Sequence, residues 1–225
     1  MIENILFKLS IMLVPGLLAI TCHEVAHGYI AWRYGDPTAR MLGRLTLNPL
    51  KHIDIFGTLM LVIVGIGWAK PVPVVIENLR NPKKDMVWVS IAGPVTNILL
   101  AIVSAGLLRL ILLVPPGSGA EINFILQPLS YMVAFSVYIN LLLAFFNLIP
   151  IPPLDGGHVL MGLLPYRQSA ALARIEPYGM VLIILLVFFT PIFHYLLLPL
   201  LMAGIQLLAG PHSLLVFKVA SFKVM

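Results

Sequence analysis

The feature that most constrains this chain is a series of apolar runs long enough to cross a bilayer. A crossing helix needs about 20 mostly apolar residues at ~1.5 Å rise each. Residues 5–32, 86–114 and 124–148 meet that requirement, and residues 180–208 form a longer fourth run. Pro115-Pro116 closes the second span, and the proline-rich stretch 149–153 closes the third. Thr190-Pro191 interrupts the fourth, which reads as two short spans turning at 191–194 in preference to one kinked helix.

Composition agrees with a polytopic membrane protein. The chain is 60% hydrophobic and only 10% charged, whereas an ordinary soluble domain is about 25% charged. Disorder is excluded by the same aliphatic content. Cys22, the one cysteine, has no partner for an internal disulfide. The net charge of +5 would suit nucleic acid, but the basic residues sit in small groups at the ends of apolar runs, without an aromatic stripe. No nucleic-acid partner is expected; the partner is the lipid bilayer. The first run reads as a span and not a cleavable leader, because its second half holds His23, Glu24 and His27.

Loop charges predict the orientation. Residues 32–51 carry Arg33, Arg40, Arg44 and Lys51; residues 70–84 carry Lys70, Arg80, Lys83 and Lys84. Arg167 and Arg174 follow, then Lys218 and Lys223 in the tail, while 115–123 and 191–194 have no Lys or Arg. The excess of positive charge places the basic loops and the tail in the cytoplasm, in a multi-pass protein of the cell (plasma or inner) membrane. Residues 53–67 are then too short for a crossing, and Gly57, Gly65 and Gly67 are poor helix formers. With 43–48 reading as a strand and Pro71–Ile76 as extended, the element 41–76 is expected to be a β-hairpin-like, re-entrant piece lining a polar cavity. A short transmembrane helix is the alternative. The fold class is an all-α transmembrane bundle with this small β element, forming a single domain over residues 1–225.

His23-Glu24-Val25-Ala26-His27 is an H-E-x-x-H sequence inside an apolar helix. Positions i and i+4 share a helix face, so both imidazoles can reach one ion with Glu24 beside them. In soluble proteins this pattern is common by chance. Inside hydrocarbon each ionisable side chain costs about 2.5–3.5 kcal/mol, so three together call for a metal or a polar network. Zinc accepts imidazole nitrogen and carboxylate oxygen and keeps one position for water. Asp155, the one acidic residue between Glu121 and Glu176, is the candidate third ligand. It follows prolines that stop a helix and precedes Gly156-Gly157, which permit a tight turn.

His23–His27, followed by Asn147-x-x-Pro150 and Asp155-Gly156-Gly157, resembles the site-2 protease family of intramembrane zinc metalloproteases. Ala92-Gly93-Pro94-Val95-Thr96-Asn97 is similar to that family's Ala-Gly-Pro-x-x-Asn element. The segment from Gly67 to Val74 looks like the extended segment of its short members that lack a PDZ domain. The resemblance implies one zinc per chain held by His23, His27 and Asp155, with Glu24 as catalytic base. It implies hydrolysis of peptide bonds in or near the transmembrane segment of a protein or peptide substrate, with the site toward the cytoplasm. Asn147 is a candidate for substrate or oxyanion binding. Asn97 could do the same or tie two helices together.

Other residues have smaller expectations. His158 is a partner of Asp155 or an interfacial histidine, and solvation accounts for His52 and Asp54. Arg109 is expected to snorkel to the outer interface. Gly93-Pro94 marks a kink or a close helix contact. Cys22 diverges from His23 by about 100° on the helix and is not a ligand. A zinc-binding transporter and a catalytically silent scaffold remain as alternative functions. A transporter needs polar groups along a path, and a silent scaffold has no need of Glu24.

Overall fold

The computed structural model describes residues 2–64, 67–115, 119–191 and 193–221. Gly65, Pro116 and Lys223 lie outside the described residues. The described chain is helical, with α1 at Ile2–Arg33, α2 at Thr38–Met41, α3 at Ile55–Val64 and α4 at Pro82–Ile111. Next come α5 at Ala120–Asn147, α6 at Asp155–Leu163, α7 at Tyr166–Ala173 and α8 at Gly179–Phe189. A short π-helical turn at Phe193–Leu197 leads into α9 at Leu198–Ala209, and α10 is Ser213–Ala220.

Among the described residues, five helical stretches are long and apolar enough to cross a membrane: Leu9–Arg33, Pro82–Ile111, Glu121–Asn147, Tyr166–Phe189 and His194–Ala220. The protein is therefore a multi-pass membrane protein. The last run is divided as expected, and Thr190 is extended before Pro191 (φ −126°, ψ 151°). The two resulting spans reach from 166 to 220, beyond the expected 180–208 on both sides.

The chain forms two compact units, one of Ile20–Thr96 with Phe146–Thr190, the other of Met1–Ala19, Asn97–Phe145 and Pro191–Met225. The second unit is held by helix–helix packing. Ala101, Ala105 and Leu108 of α4 meet Ala134, Val137 and Leu141 of α5 and Leu201, Ile205 and Ala209 of α9, all buried, at spacings of three and four residues. Small residues on those faces let helices approach closely, which drives association where lipid is as apolar as the core. The opposite face of α4, with Val103 and Leu110 about three-fifths exposed, suits contact with lipid. Arg109 is exposed near the end of α4. Its guanidinium donates to the Leu208 carbonyl at 2.6 Å, satisfying an orphan acceptor at the end of α9.

The first unit holds the shorter elements, with Ala31, Leu79 and Val89 in a small buried cluster. Here the expected β-hairpin is corrected, because no strand occurs among the described residues. Residues 43–48 form no strand: Gly43 has φ +63°, and Asn48 Oδ1 accepts the Leu50 N–H to start a 3-10 turn. Residues 55–64 form α3 instead, started by Asp54 Oδ1 accepting the Gly57 N–H at 2.7 Å. Its 10 residues rise ~15 Å, half of a hydrocarbon core. Pro71–Val75 is extended as expected, yet no neighbouring strand pairs with it. Pro71 and Pro73 offer no N–H, and carboxylates of Glu24 and Asp36 take the donors of Val72 and Val75.

Candidate metal centre

One turn of α1 and the first turn of α6 build the site, both within the first unit. His23 and His27 lie on one face of α1, their ring centroids 4.6 Å apart and edge-on, with 8% and 9% of each residue exposed. Asp155 reaches them because the chain turns sharply after α5. A Cβ on Gly156 would lie 2.3 Å from the Leu148 carbonyl oxygen, and one on Gly157 2.3 Å from the Pro152 nitrogen. Only glycine fits both positions, and the turn they permit sets Asp155 as the first residue of α6. An acidic side chain is favourable at a helix N-terminus.

The donor atoms converge. His23 Nε2 lies 3.1 Å from Asp155 Oδ2, and His27 Nε2 lies 3.3 Å from Asp155 Oδ1. One ligand atom from each residue fits within 4.8 Å of the others. Tetrahedral zinc with bonds of 2.0–2.1 Å separates its ligand atoms by ~3.3 Å, so two nitrogens and one oxygen at this spacing suit it. His27 Nδ1–H donates to the Val89 carbonyl at 2.7 Å, which leaves its Nε2 lone pair free to face an ion. Asp155 Oδ2 is buried without a hydrogen bond of good geometry, as a metal-facing oxygen would be. On the α4 side Gly93 backs the imidazoles, and a Cβ there would lie 2.5 Å from His27 Nε2 and 2.6 Å from His23 Nε2. The residues fit a metal. Glu24 is beside them on α1, and its Oε2 accepts the Val72 N–H at 2.7 Å.

Residues 120–190 match the model of peptidase family M50. "Putative zinc metalloprotease YwhC" of Bacillus subtilis is 40% identical over 201 residues, covering 88% of this chain and 90% of YwhC. The chain belongs to peptidase family M50. Rip2 of Mycolicibacterium smegmatis, likewise named as a zinc metalloprotease, is 31% identical over 78% of this peptidase and 66% of its own length. Zinc metalloprotease MJ0392 of Methanocaldococcus jannaschii is 26% identical over 79% of the chain and 42% of its own length. No solved structure matches significantly. The resemblance to the site-2 protease family thus holds.

Other predicted positions of this family member fall in several places. Asn147 ends α5, half-buried, at the head of the turn that leads to Asp155. Asn97 is fully buried in the other unit, where its amide donates to the Ala19 carbonyl at 3.2 Å and to Asn140 Oδ1 at 2.9 Å. That geometry suits the helix tie. His158 Nε2 lies 3.1 Å from Glu176 Oε1 in place of the expected partner Asp155. His52 is 2% exposed and not solvated, and its Nε2–H donates to the Thr46 carbonyl at 2.9 Å. Asp54 caps α3. Cys22 is outside the donor group.

Two buried polar residues, one in each unit, escaped the sequence reading. Asn140 completes the polar pair with Asn97, and its own amide donates to the Ser136 carbonyl. Asp36 is fully buried and accepts from the Thr38 N–H and hydroxyl, the Val75 N–H and the Asn78 amide. Burial raises its pKa, but those hydrogen bonds outweigh it and hold the carboxyl below the ordinary range. The available signal was position: Asp36 is the one acid between Glu24 and Asp54, in a loop of basic residues.

Proposed function

We infer that this chain is an intramembrane zinc metalloprotease, with His23, His27 and Asp155 holding zinc and Glu24 serving as general base. Its membership of a peptidase family and the zinc metalloprotease names of its relatives carry the class of reaction and the cofactor. The observation that carries the residue assignment is the convergence of two imidazole nitrogens and one carboxylate oxygen within 4.8 Å, with a carboxylate on the same helix turn. Zinc, when bound, supplies a Lewis acid and lowers the pKa of water to about 7.

The protein's own groups do the rest. Glu24 accepts a proton from the attacking water and returns it to the amide nitrogen as the C–N bond breaks. The Val72 N–H holds one Glu24 oxygen and leaves Oε1 for that transfer. Buried His23 and His27 keep the site dry enough for these charges to interact strongly. Asn147 is a candidate contact for the substrate backbone or the oxyanion. The substrate class, a protein or peptide with a transmembrane segment, is supported by the position of His23 and His27 inside a helix suited to crossing. The basic loops around α2, α4 and α7 support a cell-membrane location with the site open to the cytoplasm. Residues 1–225 act as one protease domain on this account.

The deciding experiment uses the purified full chain in lipid nanodiscs. Its probe is a single-span reporter peptide carrying a fluorophore and a quencher on either side of the span. Cleavage is expected, is lost with a zinc chelator, and returns on adding zinc. A zinc-loaded chain that leaves every such reporter intact while cutting soluble peptides would refute the intramembrane reading.

A further inference from the structure

The segment from Pro71 to Asn78 is fastened to the first helix and its exit turn by two carboxylates. Glu24 Oε2 accepts the Val72 N–H at 2.7 Å, and Asp36 Oδ2 accepts the Val75 N–H at 2.7 Å. Asp36 Oδ1 also accepts the Asn78 amide at 3.0 Å. Beyond these, the Lys70 N–H donates to the His52 carbonyl at 2.9 Å and the Arg80 N–H to the Tyr34 carbonyl at 3.0 Å.

Within this strap, Pro71 and Pro73 have no N–H and a fixed φ. Val72 therefore offers the one main-chain donor between Lys70 and Val74, and its direction depends on how the strap is held beyond the prolines. Val72 and Val75 are three extended residues apart, a stiff link of ~10 Å. The Val72 side chain is 7% exposed and lies over Gly28, where a Cβ would meet its Cγ1 at 2.7 Å. A displacement of ~1 Å at Val72 would take its hydrogen bond to Glu24 beyond the useful range.

We propose that Asp36 is a positioning residue for the catalytic base: by holding Val75 and Asn78 it aims the Val72 N–H at Glu24 and fixes that carboxylate beside the metal centre. The assignment rests on Glu24 being the base. It accounts for a fully buried acid that accepts from four donors in a loop otherwise rich in cations. The partners of Asp36 are Thr38, Val75 and Asn78, none of them in the metal centre, so it acts through the strap alone.

The test combines residue-resolved hydrogen exchange with kinetics on the full, zinc-loaded chain in nanodiscs, using the single-span reporter. In Asp36→Asn, amide exchange at Val72, which Asp36 does not touch, should quicken at least tenfold. The kcat should fall at least tenfold with KM within twofold and zinc content unchanged. Val72→Pro, which deletes the donor itself, should give a similar kcat loss, and the double variant should be no slower than the slower single one. Should Asp36→Asn fail to fold, Asn78→Ala removes one of its donors and should move exchange and kcat in the same direction. Unchanged protection at Val72, or losses that multiply in the double variant, overturn the proposal. A wild-type chain that cuts no reporter counts against the protease reading alone, since the exchange measurement still decides whether Asp36 aims Val72.

Discussion

A Cβ on Gly93 would lie 2.6 Å from Nε2 of His23. That is closer than any non-bonded carbon and nitrogen approach, so α4 reserves the space beside the imidazoles by omitting a side chain. Gly93→Ala is expected to weaken zinc binding ~10-fold or more, the scale of lost support around metal ligands. Gly106→Ala on the same helix is the control, because a Cβ there meets nothing within 4 Å. Competition with a fluorescent zinc chelator measures both.

Glu24 and its neighbours separate metal binding from chemistry. Glu24→Gln should keep about one zinc per chain, as for an open three-ligand site, since the amide oxygen still accepts from Val72. Proteolysis should fall by about 10²–10⁴, the usual contribution of a general base. His23→Ala and Asp155→Ala should lose most of the zinc by elemental analysis. Full occupancy in Asp155→Ala would remove that residue from the ligand set.

The convergence of His23, His27 and Asp155 was legible in the sequence because its logic is local. The i, i+4 spacing of His23 and His27 sets a shared face, and the Pro/Gly pattern around Asp155 specifies a turn whatever packs against it. The presence of apolar spans is legible for the same reason, although the last two reach from 166 to 220. The strap was half legible: alternating Pro and Val announce extended backbone, but periodicity does not say who takes its donors. Gly57 misled, since it reads as a helix breaker. It sits inside α3 because a Cβ there would meet the Trp68 carbonyl oxygen at 2.1 Å. Solvation was expected of His52 and Asp36 was not singled out, because nothing in the local residue pattern marks their burial.

Asn97 and Asn140 should behave as a helix tie. Hydrogen bonds between membrane helices average about 0.6 kcal/mol and reach ~1.7. Asn97→Ala and Asn140→Ala should each lower stability on that scale, and a double-mutant cycle read by unfolding in detergent should show coupling. Zinc content should not change. Loss of zinc or a raised KM without loss of stability would favour the substrate role for Asn97 instead.

The depressed pKa of Asp36 predicts acid sensitivity. Its unfolded value is about 3.9, and its folded value lies below that because Asn78, Thr38 and Val75 donate to the ionised form. The stabilisation is therefore complete above the unfolded pKa and is lost as pH falls through the folded one. Thermal stability should be insensitive to Asp36 ionisation near neutrality and decline below about pH 4. Asn78→Ala, which removes one of these donors, should shrink the stability difference between neutral and acid pH. Tm measured across pH for both proteins checks the sign.

Topology gives the last test, which joins the charge pattern to the metal centre. Arg33 ends α1 at the expected cytoplasmic edge, and ten helical residues back to His23 amount to ~15 Å. On the proposed orientation the site would lie inside a core of ~30 Å yet within reach of the cytoplasmic face. Asp155 follows α5, a span that the basic loops orient from outside to inside, so both ligand-bearing segments arrive from the same side. On that orientation, water for hydrolysis is expected to enter from the cytoplasm. In a Cys22→Ser parent, Leu154→Cys and Gly67→Cys should react with a membrane-impermeant thiol reagent in inverted vesicles, where the cytoplasmic face is outward. Right-side-out vesicles should leave both unlabelled until they are opened. Labelling confined to right-side-out vesicles would place the site on the outer face and separate the charge rule from the metal centre.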